Sequence, residues 1–68
     1  MKVELYFYDA SYGDYRVFND AKSVKIVDNG KWFKIEIPAK GETNEVYLFR
    51  VDDIRQIHCI NGGIEEVV

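Results

Sequence analysis

The stretch that decides the fold is Val24-Lys25-Ile26-Val27-Asp28-Asn29-Gly30-Lys31-Trp32-Phe33-Lys34-Ile35-Glu36-Ile37. Two runs rich in β-branched and aromatic residues flank an Asn29-Gly30 pair. A two-residue loop of the I′ type needs φ > 0 at both central positions, which Asn tolerates and Gly adopts freely. The stretch therefore predicts a hairpin with arms Val24 to Val27 and Lys31 to Ile37. In the second arm Phe33, Ile35 and Ile37 alternate with Trp32, Lys34 and Glu36. One set faces a core, and Trp32 then faces outward between lysines.

Working outward, the same pattern recurs. Lys2 to Tyr8 alternates, with Val3, Leu5 and Phe7 on one face and Glu4, Tyr6 and Tyr8 on the other. Asp9 to Asp14 carries turn residues, Tyr15 to Phe18 is a short strand, and Asn19 to Ser23 breaks the run. Beyond the hairpin, Pro38 ends the second arm because it cannot donate to a ladder. Ala39 to Asn44 is a polar turn and Glu45 to Val51 a strand with apolar residues on both faces. At Asp52-Asp53 a strand bend competes with a single helical turn, in which Asp52 accepts backbone amides and Ile54 and Ile57 share a side. Gln56 to Ile60 is a strand, Asn61-Gly62-Gly63 a second strong turn signal, and Ile64 to Val68 a last strand.

No window carries a sustained helical period. The expected architecture is all-β: one domain over residues 1–68, antiparallel, a strongly bent sheet or partly open barrel of about six short strands. The expected core is Val3, Leu5, Phe7, Val17, Val24, Ile26, Phe33, Ile35, Ile37, Leu48, Val51, Ile54, Ile57 and Cys59.

The 68 residues include ten aromatics (five Tyr, four Phe, one Trp) and a single cysteine, Cys59. A lone cysteine cannot build a disulfide framework and fits a reducing compartment. With no leader pattern and no apolar run of membrane length, the expectation is a cytoplasmic protein without a membrane partner. The net charge of −3 disfavours contact with a phosphate backbone. Lys25, Lys31 and Lys34 around Trp32 hint at a nucleic-acid stripe, but Asp28 and Glu36 dilute it, so nucleic acid is not an expected partner.

Catalytic and metal chemistry find little footing. His58 and Cys59 are neighbours on a strand, so their side chains point to opposite faces, and zinc wants three or four ligands. Asp52-Asp53 is too close in sequence to flank a cleft as a general acid–base pair. Gly62-Gly63 lacks the downstream pattern of a phosphate loop. The chain is therefore read as a non-enzyme without a metal site or cofactor. What the sequence does offer is a surplus of amphipathic rings away from the core face: Trp32, Tyr6, Tyr8, Tyr12 and Tyr15. Such rings either shield the sheet or serve a partner, because Tyr and Trp combine apolar area with a polar tip.

The spacing of Phe18-Asn19-Asp20-Ala21-Lys22-Ser23-Val24, Trp32-Phe33-Lys34-Ile35, Val46-Tyr47-Leu48-Phe49 and Val51-Asp52-Asp53-Ile54-Arg55-Gln56-Ile57 resembles small uncharacterised all-β proteins of Firmicutes bacteria and their phages. The resemblance covers residues 3–60. It implies a phage or mobile-element setting, in which a small protein acts by binding and blocking a host or defence protein. The expected function is accordingly protein–protein interaction by a homo-oligomer. The alternative is a small-molecule or nucleotide binder with its site at a subunit junction.

Overall fold

The computed structural model describes residues 1–9, 13, 15–38, 41 and 43–67. Seven strands occur among them: β1 (Lys2–Phe7), β2 (Tyr15–Phe18), β3 (Ser23–Val27), β4 (Trp32–Ile37), β5 (Glu45–Arg50), β6 (Ile54–Ile60) and β7 (Ile64–Glu66). A 3-10 turn, Val51–Asp53, separates β5 from β6. Among the described residues no helix is long and apolar enough to cross a membrane.

The strands form two sheets, one of three strands in the order β2-β1-β6 and one of four in the order β5-β4-β3-β7. The expectation of a single bent sheet or partly open barrel is therefore replaced by two open sheets around one core. The reason lies in the two central strands. Val3, Leu5 and Phe7 of β1, and Phe33 and Ile35 of β4, are buried, while the residues between them are only partly so. Each central strand thus has one apolar face, and two such faces are best buried against each other. Short connections carry the chain between sheets after β2, β5 and β6. The first is pinned by reciprocal hydrogen bonds: the Met1 ammonium donates to the Ala21 carbonyl, and the Ala21 amide to that of Met1, both at 2.9 Å.

The purely antiparallel reading is corrected in one place. β7 runs parallel to β3, with Val24 beside Ile64 and Lys25 beside Glu65. Asn61 takes φ = 62° as the Asn-Gly signal implies, but the corner crosses to the other sheet instead of closing a hairpin. The free edge of β3 accepts the strand there, and Val67 donates to the Ile26 carbonyl at 2.9 Å just beyond it.

Asn29-Gly30 does sit at a hairpin tip, with φ of 56° and 82°, the signs a primed turn requires. The loop is nonetheless longer than two residues. Strand pairing stops at Val27 opposite Trp32, and Asp28 also has positive φ. The Lys31 carbonyl, which would close a two-residue hairpin onto Asp28, instead accepts the Val51 amide at 2.9 Å. The tip is therefore shaped partly by the 3-10 turn that follows β5.

Two core assignments reverse. Val17 is half-buried while its neighbour Phe18 is buried, and Leu48 is exposed while Phe49 is buried. Both strands carry apolar residues on both faces, so alternation cannot choose. Ring packing chooses: Phe18 meets Tyr47 and Phe49 at centroid distances of 5.1 and 6.1 Å, and Phe49 meets Phe7 at 5.5 Å. Arg16 covers this cluster, its guanidinium 5.3–5.6 Å from the centroids of Phe18, Tyr47 and Phe49. Ile54 and Ile57 do share the core side, through a bulge rather than a helical turn. The β1–β6 register slips between Tyr6 opposite Gln56 and Phe7 opposite Ile54, leaving Arg55 unmatched. Asp52 and Asp53 lie inside the 3-10 turn, whose cap residue Arg50 makes no side-chain capping bond, so the capping role expected of Asp52 is not realised.

Candidate protein-binding faces

Of the expected contact rings, Tyr6 and Tyr15 lie on one outer face and Trp32 on the other, both faces pointing away from the shared core. Tyr6 of β1 and Tyr15 of β2 lie side by side on the three-stranded sheet, stacked with centroids 5.5 Å apart and planes 14° from parallel. Trp32 lies on the outer face of the four-stranded sheet. Tyr8 follows the end of β1 and is 70% exposed, its amide donating to the Asp53 carbonyl at 3.1 Å. Tyr12 falls outside the described residues. Tyr6 and Tyr15 do not form one patch with Trp32.

The three-stranded face is a polar-aromatic network. Pairing across β1 and β6 sets Glu4 beside His58 and Tyr6 beside Gln56. His58 meets Tyr6 edge-on at 6.0 Å, and the Arg55 guanidinium stands 5.8 Å from the Tyr6 centroid. Gln56 Nε2 lies 2.7 Å from His58 Nε2, while His58 Nδ1 lies 3.9 Å from Glu4 Oε1. Most polar and aromatic groups on this face already have an intramolecular neighbour.

Cys59 points the other way from His58, toward the core. Burial pushes its thiol up from the ordinary value, which disfavours the reactive thiolate. Adjacent positions on one strand thus keep imidazole and thiol on opposite faces of the sheet.

The four-stranded face is organised in rows set by strand register. One row is Val27-Trp32-Arg50, with the Arg50 guanidinium 5.8 Å from the Trp32 ring centroid. The next places Glu65, Lys25, Lys34 and Leu48 side by side. The third is Ser23-Glu36-Val46. Glu36 accepts hydrogen bonds from Asn44 Nδ2 at 2.7 Å and Ser23 Oγ at 3.3 Å. The Asn44 bond chiefly, with Lys22, Ser23 and Lys34, holds its carboxyl below the ordinary range against the opposing effect of partial desolvation.

Beside these charges, Val46 and Leu48 on β5 are 48% and 55% exposed. A small cleft of about 140 Å³ opens at the same end of the sheet, lined by Phe7, Trp32, Leu48, Phe49, Arg50 and Asp53. Leu48 and Val46 were missed as surface candidates because β5 is apolar on both faces. The usable signal was the larger volume of Tyr47 and Phe49, which claims the inside.

Among the described residues β5 is also an edge strand, paired with β4 alone. The Val51-to-Lys31 hydrogen bond joins the next pair along the β4–β5 register, so it sets the phase of the ladder. Hydrogen-bonded pairs alternate, which turns the backbone groups of Glu45, Tyr47 and Phe49 toward β4 and those of Val46, Leu48 and Arg50 toward the open side. Compared with protein-family models, curated proteins and solved structures, the chain matches none.

Proposed function

We propose that this chain is a non-enzymatic binding protein and that it engages another polypeptide through the Trp32-Leu48-Val46 side of the four-stranded sheet. The observation that carries this reading is the coincidence of three features on one strand edge. Val46 and Leu48 expose apolar side chains, Trp32 stands in the neighbouring strand, and a cleft of about 140 Å³ lies beside them. A half-buried indole with an arginine over it and lysines around it has the composition of an interface anchor with a polar rim. The cleft is well below the ~300 Å³ and more of ordinary small-molecule sites, and its size suits a single inserted side chain.

The rival reading is a small-molecule or nucleotide site completed at a subunit junction. Arg50 and Asp53 in the cleft lining favour it, since they supply charge beside aromatic walls.

The test is quantitative affinity capture from a native lysate with wild type and Trp32→Ala, followed by reconstitution with the purified polypeptide. A polypeptide retained by wild type and weakened about thirtyfold by the variant supports protein binding. Capture unaffected by the variant, with nucleotide-dependent quenching of the single tryptophan, would replace it with the rival.

A further inference from the structure

We infer that the polypeptide engaged at Trp32 is acidic. It lays a carboxylate over the Lys25–Lys34 pair and, two residues away along an extended segment, places an apolar side chain in the cleft beside Trp32. The inference rests on the protein-binding reading above and names the chemistry of its partner.

Strand register sets Lys25 of β3 directly opposite Lys34 of β4. Both project from the outer face, since Val24, Phe33 and Ile35 beside them are buried. Like charges directly opposite each other on neighbouring strands are unfavourable, because their Cβ atoms are only about 4.5–5.5 Å apart. Among the described residues neither ammonium has a carboxylate within ion-pair distance. Glu65 stands beside Lys25 in the register and Glu36 two residues along from Lys34, but Glu36 bonds Asn44 and Ser23 instead. Arg50, diagonal to Lys34 across the β4–β5 ladder, adds a third cation. The face thus sets Lys25, Lys34 and Arg50 against Glu36 and Glu65, a balance of +1 on a chain whose total is −3. A carboxylate arriving over the lysine pair relieves a repulsion that folding imposes.

The cleft supplies the second half of the recognition. Trp32 and Lys34 are successive outward positions on β4, about 6.8 Å apart along the strand. An extended segment laid along the strands repeats that spacing, because its alternate side chains point the same way. Asp53 stands in the cleft lining with Phe7, Leu48 and Phe49, which suits the cleft to an uncharged side chain rather than to a carboxylate. The apolar residue therefore belongs at the cleft and the acidic one two residues on, over the lysines. A nucleic acid fits this face less well. Its repeating phosphates would meet Glu36 and Glu65 on either side of the lysine pair, and Val46 and Leu48 give its bases no ring to stack on.

An NMR titration of the protein with the blocked peptide acetyl-Ser-Leu-Ser-Glu-Ser-amide, carried to millimolar concentration, tests this. The expected result is a saturable shift centred on Lys25, Trp32, Lys34 and Arg50 that weakens as salt is added. Replacing the peptide's glutamate with glutamine should weaken binding about threefold, and replacing its leucine with alanine about tenfold. Lys34→Gln should weaken binding of the glutamate peptide about threefold and raise the melting temperature slightly, since it removes one member of a like-charged pair. A merely structural role for Lys34 would lower the melting temperature instead. The double variant Lys25→Glu, Lys34→Glu should prefer a peptide with lysine in place of glutamate. Shifts absent up to millimolar peptide overturn the inference, and so does equal binding of the glutamine peptide, which would leave an apolar contact alone. A short oligothymidylate that binds the same residues more tightly than the peptide also overturns it, by making this a nucleic-acid surface. Any of these results alongside intact Trp32-dependent capture of a polypeptide removes the acidic chemistry and leaves the protein-binding reading standing, whereas loss of that capture removes both.

Discussion

The two outer faces of this molecule are built from similar residues and offer a partner different things. On the three-stranded sheet, Tyr6 stacks on Tyr15, meets His58 edge-on and lies under Arg55, and His58 is held between Gln56 and Glu4. On the four-stranded sheet, Glu36 is similarly held by Ser23 and Asn44, but Val46 and Leu48 stand exposed at an open edge beside Trp32. A ring packed against its neighbours gains less from a partner than an exposed aliphatic row beside unpaired backbone. Counting exposed aromatics therefore does not locate a binding surface. What matters is whether the fold has already satisfied them.

The two outer faces can be weighed against each other only if both sheets contribute equally to the interior. Leu5 and Ile35, one from each central strand, are both 0% exposed. Replacing either with Ala should cost about 2–5 kcal/mol in chemical denaturation, the range for deleting a buried aliphatic side chain. A marked asymmetry between them would mean that one sheet is an accessory layer, and the two faces could no longer be weighed against each other.

Trp32→Ala is the variant aimed most directly at the difference. It should weaken partner binding, or self-association, by about 2 kcal/mol and shift the thermal melt little. Unfolding of this variant would reassign Trp32 to the core. Tyr8→Ala, at an exposed ring without a place in either sheet, should change neither binding nor the melt measurably.

The turns give a smaller effect. Gly30→Val should destabilise by about 1–2 kcal/mol, because φ = 82° strains a β-branched residue although a Cβ there meets no neighbouring atom. The same substitution at Gly63, where φ is not positive and space is also open, should be much milder in the same melt.

On the three-stranded face, a double-mutant cycle of Tyr6→Ala and Tyr15→Ala should return a coupling of about 0.5–1.5 kcal/mol to stability and none to binding. A coupling that appears in binding instead would make the stacked pair part of the contact surface.

The smallest effect is a titration. Because Glu36 has a lowered carboxyl pKa in the folded state, its contribution to stability is present above its ordinary value of 4.5 and is lost as pH falls through the folded value. Asn44→Ala removes the largest cause and should bring the Glu36 carboxyl back up toward 4.5, read by NMR through its side-chain carbon shift.

Some of this was legible in residue order alone. Strand positions followed from alternation and turn chemistry, so β2 is Tyr15–Phe18 as expected and most other strands differ by a residue or two at their ends. The outward direction of Trp32 and the burial of Phe33 and Ile35 followed from a period of two on a strand with one apolar face. These features are local: they depend on which conformations a residue tolerates and on which side its neighbours need to be dry. Tertiary structure decided the rest. Burial cannot be assigned within Tyr15–Phe18 or Glu45–Arg50, where both faces are apolar, until Phe7, Phe18, Tyr47 and Phe49 meet across the two sheets. Nor does an Asn-Gly corner say whether the returning strand joins its own sheet or the other. The second corner sends β7 alongside β3 because that edge lies open in three dimensions. The candidate binding edge belongs to this second class. Val46 and Leu48 became surface only because the larger rings beside them filled the core.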